Sequence, residues 1–266
     1  MKLLYIAPVA PSPRLDGLAA VIDAAKAPGT TVDIVTMPEW APPHVEYHSY
    51  EAVVLPHMLH HVYAGRETYD GFVMGCFYDL GLEEALELSS GRPVVAPCQA
   101  TTTIACTLGH RFSILVGRDK WVPKMQANVD RYGHRHHMAS IRPLDLRVTE
   151  FQTRPDTHER MLEVARECMD EDGAEVLILG CTAEYGFNKH LESELGIPVL
   201  DPVATSIVYA EFLARQRRNL GWRRSRRGGS EAPPDAEVAS LGLFKGLPPT
   251  GASRRVESRD REKVPA

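Results

Sequence analysis

Two cysteines occupy matched places in two stretches of similar sequence, Cys76 in DGFVMGCFYDLGL and Cys181 in GAEVLILGCTAEYGF. Each stretch reads as an apolar strand, a Gly, the Cys and then a helix start. In both, a Pro-Val pair opens the next strand at the same remove, since 93 − 76 and 198 − 181 are both 17. The match continues into the following helix, where APCQATTTIA around Ala100 aligns with DPVATSIVYA around Ala204. A unit of roughly a hundred residues has been used twice, and each copy delivers one thiol to a strand end. Thiols so placed suit the inversion of a carbon that bears an acidic hydrogen: one removes the proton from one face, the other supplies a proton to the opposite face. A thiol's ordinary pKa of about 8.5 falls at a helix N-terminus, so one member can be thiolate while the other keeps its proton. Backbone N–H groups at the same turns can hold a carboxylate or a developing enolate oxygen. This chemistry obliges no cofactor.

The other chemistry-bearing residues carry weaker signals. Cys98 is expected at a strand end of the same type, facing either a pocket or the core, whereas Cys106 and Cys168 read as core residues on helix faces. Thr182 either donates to a substrate carbonyl or caps the next helix, and Asp79 reads as an N-cap. Glu184 reads as a substrate contact or as the start of a solvated helix face. His57, His60 and His61 form H-x-x-H-H, and His134, His136 and His137 cluster in GHRHH. Neither group has a further ligand at suitable spacing, so no metal is assigned. The absence of a G-x-G-x-x-G after the first strand, and of a P-loop, disfavours nucleotides.

The elements that must position these residues alternate. Strands are expected at Lys2–Val9, Thr31–Met37, Phe72–Phe77 and Pro93–Cys98, and again at Phe112–Val116, Met138–Val148 (broken by Pro143), Val176–Cys181 and Val199–Val203. Helices are expected between them at Leu18–Ala27, Tyr50–Tyr63 (bent or divided by Pro56), Leu82–Ser89, Ala100–Leu108, Trp121–Tyr132 and Thr157–Asp170, with Ser206–Arg217 last. Loop 39–49 and segment 151–156 are expected over the ligand. The pattern predicts an α/β fold of two pseudo-symmetric lobes, each a parallel sheet flanked by helices, with a disordered C-terminal tail. The lobes are expected at 1–97, completed by helix 205–217, and at 98–204, with the ligand where the carboxyl ends of the two sheets meet. From 218 to 266 the composition is rich in Gly, Pro, Ser and charge, the mark of a structureless tail.

Composition narrows the class. The 266 residues suit two α/β lobes, with 44% hydrophobic and 24% charged residues. A net charge of −5 argues for no nucleic-acid partner. No apolar run approaches the ~20 residues of a membrane span, and MKLLYIAPVAPSP reads as a first strand rather than an export signal. Five cysteines without a C-x-x-C pair argue against a disulfide framework. A cytoplasmic protein acting on a small molecule is expected, with a homo-oligomer as its assembly.

On the segments GCFYDLGL at Gly75–Leu82 and LGC at 179–181, the chain resembles the aspartate/glutamate/hydantoin racemase superfamily of cofactor-independent enzymes, nearest to hydantoin racemases. The resemblance covers about residues 1–215. It implies that Cys76 and Cys181 are the proton-transferring pair, with Thr182, Phe77, Pro8 and Cys98 as candidate substrate contacts. The chain departs from the pattern in places. GCT resembles the aspartate and glutamate branch, but Ala183 stands where glutamate racemases carry His. APVAPSP replaces an Asn-Pro-Asn type loop, and Pro97-Cys98-Gln99-Ala100 replaces a Gly-Glu-Ala type segment. The reaction class thus carries over better than the substrate, a hydantoin-like or aspartate-like amino-acid derivative. Two other readings stay open: a maleate-type cis-trans isomerase with a cysteine nucleophile, and a non-catalytic two-lobed binding protein for a small ligand.

Overall fold

The run KLLYIA, buried from Leu3 to Ala7, forms β1 (Lys2–Ala7), and continuous burial marks it as an interior strand of a parallel sheet. The computed structural model describes residues 1–247 and 251–258. After β1 come α1 (Arg14–Ala25), β2 (Thr31–Thr36), α2 (His48–Gly65), β3 (Gly71–Met74), α3 (Leu82–Leu88) and β4 (Val94–Val95). β1 pairs in parallel with β2 on one side and with β3 on the other, and β3 pairs with β4. The chain continues through α4 (Pro97–Leu108), β5 (Phe112–Val116), α5 (Val122–Arg131), β6 (Met138–Pro143), α6 (Thr157–Asp170), β7 (Val176–Leu179), α7 (Asn188–Leu195), β8 (Val199–Leu200) and α8 (Pro202–Leu220).

The two sheets repeat one plan. The first runs β4-β3-β1-β2 and the second β6-β5-β7-β8, so each copy has the order second-first-third-fourth with parallel neighbours. This is the duplicated α/β architecture the sequence predicts. In each sheet the strand order reverses between the first and third strands, the place where open α/β sheets form a crevice at their carboxyl ends. Cys76 follows β3 and Cys181 follows β7, so both leave a strand that flanks such a point.

By backbone contacts the chain forms two compact units. One comprises Met1–Gly75, Leu80–Val95 and the chain from Ile207, and the other comprises Cys76–Asp79 and Ala96–Ser206. The four residues from Cys76 thus pack with the second unit, although the strand that carries them belongs to the first.

Several elements differ from expectation for local reasons. The strand expected at Pro93–Cys98 is only Val94–Val95, and that expected at Val199–Val203 is only Val199–Leu200. In each case a helix starts early, at Pro97 and Pro202, because proline's fixed φ suits the first helical position and its missing N–H has no role there. The strand expected to 148 ends at Pro143, and α2 runs undivided through Pro56.

The segment expected to be structureless from 218 holds some exceptions among its described residues. A short helix, α9 (Asp235–Leu241), buries Val238, and β9 (Ser253–Val256) adds to β2 as an antiparallel edge strand with Val256 buried. Asp33 on β2 pairs with Arg255, which neutralises a carboxylate facing the new strand. Residues 248–250 and 259–266 of the expected tail lie outside the described residues. Among the described residues no helix is long and apolar enough to cross a membrane.

Candidate active site

Each cysteine is set up by the glycine before it. Gly75 donates its N–H to Ile6 at 2.8 Å, and a Cβ there would sit 2.5 Å from the Tyr5 ring. Gly180 donates to Leu115 at 2.7 Å, and a Cβ on it would press against that same carbonyl oxygen. Only a residue without a side chain lets the chain pass this close to the neighbouring strand as it leaves the sheet. Both loops then close in the same way. The N–H of Asp79 donates to the Cys76 carbonyl and that of Glu184 to the Cys181 carbonyl, each at 2.9 Å.

The loop after Cys76 is pinned by a buried carboxylate. Asp79 takes the left-handed conformation, φ 53°, which Asp tolerates better than most residues. Its Oδ1 accepts from the Cys98 N–H, and its Oδ2 from the Gln99 N–H, both at 2.8 Å. It therefore caps α4, whose own N-cap residue, Ala96, has no side chain for the task. The Tyr132 hydroxyl donates to Oδ2 at 2.7 Å. Burial raises the Asp79 pKa to about 7 against the pull of these three donors, and it pushes the Tyr132 hydroxyl upward too. Asn128 donates to the Tyr78 carbonyl, and the Lys124 ammonium lies 4.6 Å from the centre of the Tyr78 ring. Lys124, Asn128 and Tyr132 are spaced four apart, so one face of α5 and its C-cap grips the loop.

The loop after Cys181 is held differently. The thiol sulfur accepts from the Ala183 N–H at 3.4 Å, making Cys181 the cap of a short 3-10 turn, Thr182–Glu184. Gln152 donates to the carbonyls of Ala183 and Tyr185. Asp201 accepts from Gly186 at the far end of the loop and caps α8 through the N–H groups of Val203 and Ala204. The two halves remain in step, since 97 − 76 and 202 − 181 are both 21, but one borrows its helix cap from the cysteine loop and the other carries its own.

Cys76, Phe77, Cys98, Cys181 and Thr182 belong to the second unit, while Pro8 follows β1 in the first. Cys181 and Thr182 are partly exposed, and Cys76 and Phe77 keep 6% and 3% of their surface. Cys98 is not at a strand end: it lies in the first turn of α4 with no exposed surface, and burial beside Asp79 raises its thiol well above the ordinary range. Cys168 is core, as expected, but Cys106 is partly exposed with its sulfur 3.5 Å from His134 Nδ1. Glu184 does not begin a solvated face; it is completely buried. Among the described residues no three His, Cys, Asp or Glu side chains converge as a metal site, and no cysteine is in a disulfide.

Residues 4–210 match the profile of the family described as Asp/Glu/Hydantoin racemase. The chain belongs to this family. A hydantoin racemase of Paenarthrobacter aurescens is 31% identical over 242 residues, 89% of this chain and 99% of that one. A hydantoin racemase of Rhizobium meliloti is 34% identical over 181 residues, 66% of this chain and 73% of its relative. Among solved structures, allantoin racemase from Klebsiella pneumoniae superposes with a TM-score of 0.79 at 28% identity, covering 88% of this chain and 94% of that chain. This member of the racemase family is thus an enzyme of the isomerase class. Tyr132, Asn128, Gln152 and Asp201 were not singled out from the sequence. The four-residue spacing on α5 and the Asp before Pro202 were the available signals, but neither says which loop the side chain reaches.

Proposed function

We propose that this racemase inverts a small ring-closed amino-acid derivative of the hydantoin or allantoin type, with Cys76 and Cys181 as the proton-transferring pair. The observation that carries the reading is the shared construction of the two thiol loops. Each leaves its strand at a glycine pressed against the neighbouring strand, and each closes with a carboxyl residue's N–H on the cysteine carbonyl. Matched construction of two thiols fits a reaction whose two faces need equivalent acid and base groups. The relatives' activities supply the substrate class, a carbon next to a carbonyl whose hydrogen is acidified by the ring. In the direction that starts at Cys181, its thiolate takes the proton and the Cys76 thiol returns one to the other face; the reverse direction exchanges the roles. Neither step draws on a cofactor.

The test is incubation of each enantiomer of 5-substituted hydantoins and of allantoin in deuterated water, following loss of the C–H signal together with optical rotation. Exchange coupled to inversion is expected. A panel on which neither exchange nor inversion exceeds the rate without enzyme overturns the reading.

A further inference from the structure

Among the described residues, Glu184 is the only acidic side chain with both carboxyl oxygens buried and without a hydrogen-bond partner. It stands three residues after Cys181, where Asp79 stands three after Cys76. Asp79 uses its oxygens on Cys98, Gln99 and Tyr132, but Glu184 has no helix to cap, because Asp201 already caps α8. Its own N–H closes on the Cys181 carbonyl at 2.9 Å, in the short turn that the Cys181 sulfur caps. The titratable group acting on it from another element is Asp201, and on its own turn it is the Cys181 thiol. Asp201 is buried too, which raises its own pKa against the pull of the three backbone N–H groups it accepts. Burial first, with Asp201 adding to it, pushes the Glu184 pKa well above the ordinary carboxylate range. An apolar side chain of similar volume would fill the space at less cost, so packing alone does not account for an acid here.

We propose that Glu184 is a positioning residue for Cys181: its buried carboxyl, in the turn that the Cys181 sulfur caps, fixes the direction in which the sulfur is presented and provides a polar surrounding for the thiolate. A charged carboxylate in this place would oppose a thiolate, and an apolar group would leave it less well solvated. The catalytic consequence rests on the racemase reading above, but the effect on the thiol does not.

The experiment measures iodoacetamide alkylation of Cys181 and Cys76 by peptide mass between pH 6 and 9.5 in the full chain, in Glu184→Met and in Glu184→Gln. In Glu184→Met, Cys181 alkylation at pH 7 should fall about tenfold, its midpoint moving up by about one pH unit, with Cys76 within about twofold of the parent. Glu184→Gln keeps a neutral polar group of the same shape and should recover the parent profile. If the Met variant does not fold, Glu184→Asp, which withdraws the carboxyl by one methylene, replaces it with the same expected slowing. The proposal is overturned if Cys181 reacts at the parent rate in both variants, if Gln is as slow as Met, or if Cys76 slows equally. Racemisation measured alongside should show kcat reduced and KM unchanged in the Met variant. Alkylation needs no substrate, so a chain that racemises nothing still tests Glu184, and the two readings fail separately.

Discussion

The Tyr132 hydroxyl donates a 2.7 Å hydrogen bond to Asp79 Oδ2, tying the end of α5 to the loop that carries Cys76. This bond strengthens when Asp79 is ionised, because a donor to a carboxylate is worth more than one to a neutral acid. Tyr132→Phe should therefore destabilise the fold by roughly 1.5–3 kcal/mol at pH 8.5 and by less at pH 5.5. Urea unfolding at the two pH values measures the difference; an equal loss at both would show that the hydroxyl does not act through the carboxylate.

Asp79 also sets a pH dependence of stability. Its pKa is raised from 3.8 to about 7 in the fold, mainly by burial. A raised acid stabilises fully below its unfolded pKa, and that contribution is lost as pH climbs through the folded value. Thermal stability should fall between pH 5 and 7.5, with a slope from this group of at most about 1.4 kcal/mol per pH unit. Asp79→Asn should flatten this segment of the curve while lowering stability throughout, since an amide cannot accept from all three donors.

The glycines before the cysteines leave no room for a methyl group. Gly180→Ala drives a Cβ against a backbone carbonyl, which cannot swing aside as a side chain can. A loss of roughly 2–4 kcal/mol is expected, with slower alkylation of Cys181 as the loop shifts away from the sheet. Gly75→Ala meets the Tyr5 ring and the Ile6 carbonyl and should behave alike. Denaturant midpoints for both variants settle the comparison.

The strand at 253–256 protects the edge of the first sheet. A Cβ at Gly251 would lie against the Met37 carbonyl oxygen, so Gly251→Ala should displace β9 from β2 without touching either cysteine loop. Faster proteolysis after residue 247 and greater aggregation on heating are expected, because an unpaired β2 edge offers open N–H and C=O groups. Unchanged proteolysis would show that β9 contributes little to the edge.

On the proposed two-thiol reading, single replacement of either cysteine should separate the two half-reactions. With Cys181→Ala, inversion should be lost, while the enantiomer that faces Cys76 still exchanges its hydrogen with solvent deuterium. Cys76→Ala should show the opposite preference. Chiral chromatography combined with mass measurement distinguishes exchange from inversion.

Much of this protein is written locally in its sequence. The repeated apolar-strand, Gly, Cys pattern and the equal spacings to Pro-Val identified the duplicated parallel sheets, because the period of burial and the demand for glycine at a close approach both act within a few residues. The matched placement of the two cysteines after those strands was legible for the same reason. What the chain could not declare locally was which distant groups complete each loop. Asp79 looks like a cap for the helix next to it, yet it caps α4 about twenty residues on and receives Tyr132 from α5. Glu184 looks like a surface acid because charge patterns along a helix usually mark solvent, but tertiary packing closes over it. The tail has the composition of a structureless segment, and only the open edge of β2 turns its residues 253–256 into a strand. Sequence set the periodicity and the matched positions of the two cysteines; packing across the fold chose the hydrogen-bond partners and so decided which charges are buried.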